Sequence, residues 1–128
     1  MRTDITRLFR NPPQLALLRR LLPEPALGVR CLLYGVADGA EAVSLLATLA
    51  PEPGDPVEIV GRDLDASLLD AARTWTYLPG HAPDGVDLDQ YRRVIEAEPG
   101  GGWAVREPYR PMLRYEVGDC LLYTSRCV

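Results

Sequence analysis

Two short apolar runs, GVRCLLYG (28–35) and VEIVGRD (57–63), flank a stretch that is apolar on nearly every side, AEAVSLLATLA (40–50). The runs are too short for helices and are bounded by glycines or turn residues, so they read as buried strands. The middle stretch reads as a helix lying on a sheet, broken by PEPGDP (51–56). A second helix pattern, DASLLDAARTWTY (65–77), follows with Asp65 placed to cap it. Strand, helix, strand, helix is the order that produces parallel strands with right-handed crossovers. The expected fold class is therefore α/β, the opening of a doubly wound, Rossmann-like and mostly parallel sheet.

On either side of this unit the patterns are shorter. NPPQLALLRRLLPEP (11–25) carries prolines at both ends and Leu15, Leu17, Leu18, Leu21 and Leu22 at helical spacing, which predicts one amphipathic helix. LDQYRRVIEAE (88–98) is expected to form a further helix, PGGGW (99–103) a turn, and WAVRE and MLRYEVGD two strands from their alternation. With 128 residues the chain has the length of one domain.

Composition removes several functions. A net charge of -4 with scattered arginines does not provide the clustered positive field that nucleic acid requires. Arg19, Arg20, Arg92 and Arg93 are expected on solvated helix faces. Three cysteines without metal or disulfide spacing fit a reducing compartment, and Cys31 within its apolar run reads as a small hydrophobe. His81 has no acid or thiol partner at a recognisable spacing, so it reads as a surface residue. No apolar run reaches membrane-spanning length, and the first ten residues lack the centre of a secretory signal. The cytoplasm is the expected location.

Chemistry concentrates in the loop between the first strand and its helix. In a doubly wound sheet, ligands bind beyond the carboxyl ends of the strands, where the Gly35 to Gly39 loop and Asp63 are expected to meet. A carboxylate after the second strand can accept both ribose hydroxyls of an adenosine, in a dinucleotide or in S-adenosylmethionine. Gly35, three other residues and Gly39 do not satisfy the Gly-x-Gly-x-x-Gly dinucleotide fingerprint, and no Lys-Ser or Lys-Thr pair follows to make a phosphate loop. Asp38 and Glu41 already bring two carboxylates to the helix start, which disfavours a diphosphate and suits a ligand carrying an ammonium and a sulfonium.

Four blocks, in order over about residues 3–122, resemble the chemotaxis receptor methyltransferases, the CheR-type branch of class I S-adenosylmethionine-dependent enzymes. TRLFRNPPQLALLRRLLP is similar to a T-x-F-F-R segment preceding a helix that ends in Leu-Pro. YGVADGAEAVSLL resembles A-G-C-S-T-G-E-E-P-Y-S-L-A. IVGRDLDASLLDAARTWTY resembles A-T-D-I-D followed by a helix that ends near Gly-x-Tyr. MLRYEVGDCLL falls where that family has a strand followed by Asn-Leu-Leu.

The resemblance implies a partial class I methyltransferase fold, incomplete at the carboxyl end, that transfers methyl from S-adenosylmethionine to a glutamate of a receptor or other protein; a small-molecule acceptor stays open. It implies that Thr6 and Arg10 contact the methionine part of the cofactor, that Gly35 and Gly39 allow close backbone approach, and that Glu41 lies near the amino acid portion. It further implies that Asp63 binds ribose, Leu64 walls the adenine and Asp119 faces the adenine amino group. Residues 1–28 are then an amino-terminal helical segment and 29–122 a partial cofactor domain. CLLYTS, which one reading frame of a sequencing-library adapter encodes, marks 120–128 as an expected non-native tail. A sheet so interrupted is expected to leave an edge and an apolar face uncovered.

Departures from the family pattern include Ala37 and Asp38 for Ser-Thr, Ala40 for the first glutamate, Ala42 and Val43 for Pro-Tyr, and Trp75 for the glycine before x-Tyr. They keep a second reading in play, a non-catalytic regulatory module that retains the fold. A third, an NAD-dependent oxidoreductase, is disfavoured by the glycine spacing and Glu41.

Overall fold

The computed structural model describes residues 12–78 and 91–118. Strands β1 (Val29–Tyr34), β2 (Val57–Asp63) and β6 (Leu113–Val117) form a parallel sheet in the order β1-β2-β6. Val29 to Tyr34 run in register with Val57 to Arg62, and Ile59 to Asp63 with Leu113 to Val117. β2 is thus paired on both edges, and its odd positions Val57, Ile59, Gly61 and Asp63 are all buried. The parallel α/β architecture expected from the sequence is present.

Helix α2 (Ala40–Leu49) crosses between β1 and β2, and nine of its ten residues are buried. Its two hydroxyls satisfy themselves on the preceding turn: Ser44 donates to the Ala40 carbonyl and Thr48 to the Ser44 carbonyl, both at 2.7 Å. Neither hydroxyl is therefore left unsatisfied inside the core. Helix α1 (Pro12–Leu21) packs on α2 through Leu15, with Leu18 and Leu22 against the same core, whereas Leu17 and Leu21 face solvent.

Helix α3 (Ala66–Ala72) starts as expected, with the Asp65 carboxylate accepting from the amides of Ser67 and Leu68. It ends five residues before the expected stop. Trp75 takes a left-handed φ of 64°, and Thr76–Tyr77 leave the helix as strand β3. A glycine would take such a φ without a Cβ clash; Trp75 takes it with its indole packed on Tyr115, ring centroids 5.9 Å apart.

A second sheet is antiparallel, in the order β3-β5-β4, and only its central strand, Trp103–Val105, was expected from the sequence. It joins β3 to β5 (Trp103–Val105) and β5 to β4 (Ile95–Ala97). The helix expected over 88–98 is corrected over its described part: residues 92–94 form a turn and 95–97 are β4. Tyr91, Val94 and Ile95 are buried at i, i+3, i+4 spacing, which mimics a helix face, but the Arg106 amide bonds the Val94 carbonyl and pairing with β5 decides the outcome. Arg92 and Arg93 consequently sit on a turn, where Arg93 bridges the Ala50 carbonyl and Glu52.

The face of the parallel sheet opposite α2 and α3 corrects a further expectation. Beside the exposed Leu32 it carries Arg30, Glu58, Arg62, Arg114 and Glu116, paired as Arg30–Glu58 at 3.4 Å, Arg62–Glu116 at 3.7 Å and Arg114–Glu116 at 3.5 Å, so the face is mixed rather than wholly apolar. Cys31 is a half-buried free thiol that burial pushes up from its ordinary pKa, consistent with a packing role. His81 lies outside the described residues. Among the described residues no helix is long and apolar enough to cross a membrane.

Burial also holds the Tyr77 and Tyr115 phenols well above their ordinary range, with Asp38 adding to the effect on both. The unfolded chain ionises these phenols near pH 10, about their ordinary value, while the folded chain keeps them protonated. Stability from this source is complete below that pH and is lost progressively as pH rises from there through the raised value of the folded chain. Denaturant midpoints are expected to be level between pH 8 and 9 and to fall above about pH 10; a midpoint still level at pH 11 would contradict the assignment.

Candidate functional site at the strand ends

The carboxyl ends of the three parallel strands converge on Asp63. Its side chain is 4% exposed, and both oxygens accept backbone hydrogen bonds: Oδ2 from the Ala37 amide at 2.9 Å and Oδ1 from the Asp65 amide at 2.9 Å. Its carbonyl accepts from the Gly118 amide at the end of β6, at 3.0 Å. Asp63 therefore ties the loop after β1, the start of α3 and the end of β6 to one point. Asp63 is thus a buried, backbone-anchored anion at the strand ends.

The loop itself is shaped by unusual backbone. Gly35 at φ 69°, Ala37 at 51° and Gly39 at 83° are all left-handed, three times in five residues. The Gly35 amide donates to the Arg62 carbonyl at 2.8 Å, so the loop leaves β1 while still bonded to β2. Ala37 keeps a strained φ because its amide is held by Asp63. A Cβ on Gly39 would stand 2.5 Å from the Tyr115 hydroxyl oxygen and 3.0 Å from the Ala72 Cβ; a Cβ on Gly35 would meet nothing within 4 Å. The first glycine is thus required by conformation alone, the second by space as well.

Acidic groups cluster at the same edge. The Asp38 carboxylate accepts from the Ala40 amide at 3.1 Å and so occupies part of the helix start, and Glu41 is exposed in the first turn of α2. Leu64 follows Asp63 directly and is 60% exposed, free to cover a flat apolar ligand. Gly35, Gly39, Glu41, Asp63 and Leu64 are placed at the carboxyl ends of β1 and β2 or in the first turn beyond them. Thr6, Arg10 and Asp119 lie outside the described residues.

Two residues at this edge escaped the sequence reading as site components. Tyr77 donates its hydroxyl to the Asp38 carbonyl at 2.9 Å, and the Tyr115 hydroxyl lies beneath Gly39. The first is a hydrogen bond and the second a packing contact, since the buried Tyr115 hydroxyl has no hydrogen-bond partner among the described residues; both span long sequence separations. The only available signal was the tyrosine of the family's Gly-x-Tyr.

Two open depressions of the surface lie elsewhere, one at the amino ends of β1 and β2 beside Gly28 and Pro56, the other over Leu32 and Val60 on the charged sheet face. Neither reaches the strand ends, and the arginines and carboxylates of the second are already paired with one another. Among the described residues no group of three His, Cys, Asp or Glu is gathered to hold a metal.

A search of curated proteins gives no match. Residues 4–127 match the family model described as CheR methyltransferase, SAM binding domain. The cofactor of that domain is S-adenosylmethionine, and a buried carboxylate tied to a glycine loop with further acids beside it fits a cationic nucleoside. Because the match spans nearly the whole chain, this protein belongs to the CheR methyltransferase family through its S-adenosylmethionine-binding domain.

Proposed function

We propose that the chain is the cofactor-binding part of a methyltransferase that esterifies a glutamate side chain of a protein, a receptor cytoplasmic domain being the expected acceptor, in the cytoplasm. The observation that carries the reading is the Ala37 amide bonded to the buried Asp63 carboxylate, which sets the glycine loop against an anion at the strand edge. S-adenosylmethionine supplies an electrophilic methyl carbon: the new carbon–oxygen bond forms as the carbon–sulfur bond breaks, and sulfur keeps the electron pair as a neutral thioether. A carboxylate acceptor is already ionised near neutral pH, so no proton has to move and no general base is required.

The work of the protein is then alignment and exclusion of water. Asp63 would accept the ribose hydroxyls, while Gly35 and Gly39 let the backbone approach the amino acid portion. Glu41 would attract its ammonium, and Leu64 would cover the adenine face. Thr6 and Arg10 would reach the methionine part and Asp119 the adenine amino group. In the same reading residues 1–28 form the amino-terminal segment, 29–122 the cofactor domain and 120–128 a non-native tail.

Calorimetric titration with S-adenosylhomocysteine, the demethylated product, tests this. Saturable one-to-one heat is expected, with none from NAD. Heat from neither ligand would favour the non-catalytic module, and heat from NAD the oxidoreductase. Transfer of labelled methyl to a receptor fragment, abolished when its acceptor glutamates become alanine, would establish the acceptor.

A further inference from the structure

Gly39 gives the loop a freedom that something must remove. Glycine tolerates either sign of φ, so the peptide between Asp38 and Gly39 can flip at little cost unless both its polar groups are engaged. They are. The Gly39 amide donates to the Val36 carbonyl at 2.9 Å, within the loop, and the Asp38 carbonyl accepts from the Tyr77 hydroxyl at 2.9 Å, from the other sheet. The carbonyl and amide of one peptide point in opposite directions, so these two bonds grip the plane from both sides.

We propose that Tyr77 is a positioning residue of the cofactor site: its hydroxyl fixes the Asp38–Gly39 peptide plane and so presets the loop for the ligand. The inference rests on the reading of that loop as the S-adenosylmethionine cradle. Released from Tyr77, the peptide can exchange the positions of its carbonyl oxygen and amide, reversing its dipole beside the ligand. The bound state then has to restore the order at the expense of affinity. Burial keeps the phenol protonated, hence a donor, throughout the ordinary pH range.

Tyr109 provides the internal control. Its ring too is buried and its hydroxyl donates to a backbone carbonyl, Pro51, at 2.8 Å, but just beyond the opposite end of α2. Tyr77→Phe and Tyr109→Phe each delete one hydroxyl and keep the ring. Binding of S-adenosylhomocysteine is measured by calorimetry well below both unfolding midpoints, and amide hydrogen exchange at Gly39 is followed in the ligand-free proteins.

Tyr77→Phe is expected to weaken binding roughly fivefold to tenfold, the value of one hydrogen bond, and to speed Gly39 exchange; Tyr109→Phe should change neither beyond about twofold. Unchanged affinity in Tyr77→Phe, or equal weakening in both variants, would overturn the proposal. If the wild-type chain does not bind the ligand, the functional reading fails by itself, and unchanged Gly39 exchange in Tyr77→Phe would separately overturn the positioning role.

Discussion

Asp63→Ala is expected to remove detectable S-adenosylhomocysteine binding and to destabilise the fold by about 2–6 kcal/mol, because the amides of Ala37 and Asp65 each lose a buried or half-buried acceptor worth about 1–3 kcal/mol. The two effects are separable. Asp63→Asn keeps the volume and one acceptor oxygen, but its NH2 group would face an amide donor, so it should recover only part of the stability. It should not recover affinity, since the amide cannot receive two ribose hydroxyls while also serving the loop. Urea unfolding and calorimetry on both variants measure this. An Asp63→Asn protein that binds like wild type would show that the carboxylate is structural only.

Gly39→Ala is the second large effect. The new methyl would press on the Tyr115 hydroxyl and ring carbon and on Ala72, at 2.5, 2.9 and 3.0 Å, and would hold an L-residue at φ 83°. The backbone contribution is about 1–2 kcal/mol, and the overpacking adds about 1–3 kcal/mol. Gly35→Ala shares the first contribution but not the second, since open space surrounds it. The expected result is a loss for Gly39→Ala exceeding that for Gly35→Ala by about 1–3 kcal/mol, read from urea unfolding. Equal losses would mean that the Tyr115 ring moves aside freely.

The parallel sheet and its loop were readable because their signals are local. A buried strand announces itself by a short apolar run, α2 by apolar residues all round, and α3 by Asp65 at its start. Asp63 could be placed from topology alone, because the end of a strand is a position in sequence as well as in space. What could not be read depends on distant partners. Residues 95–97 become a strand because of Trp103–Val105, against a local pattern that favours a helix. Trp75 ends α3 early through a left-handed backbone that no bulky residue signals. Tyr77 touches the loop from 39 residues away, a contact no local spacing encodes.

Helix α2 is fastened at both extremities by phenols from the later part of the chain: Tyr77 grips the carbonyl of Asp38 just ahead of it and Tyr109 that of Pro51 just behind it. A ten-residue rod about 15 Å long is thus held between two jaws and cannot slide along its own axis. Each extremity of the rod is thus completed by chain made after it, and both are in place only once residues 77 and 109 have reached their carbonyls.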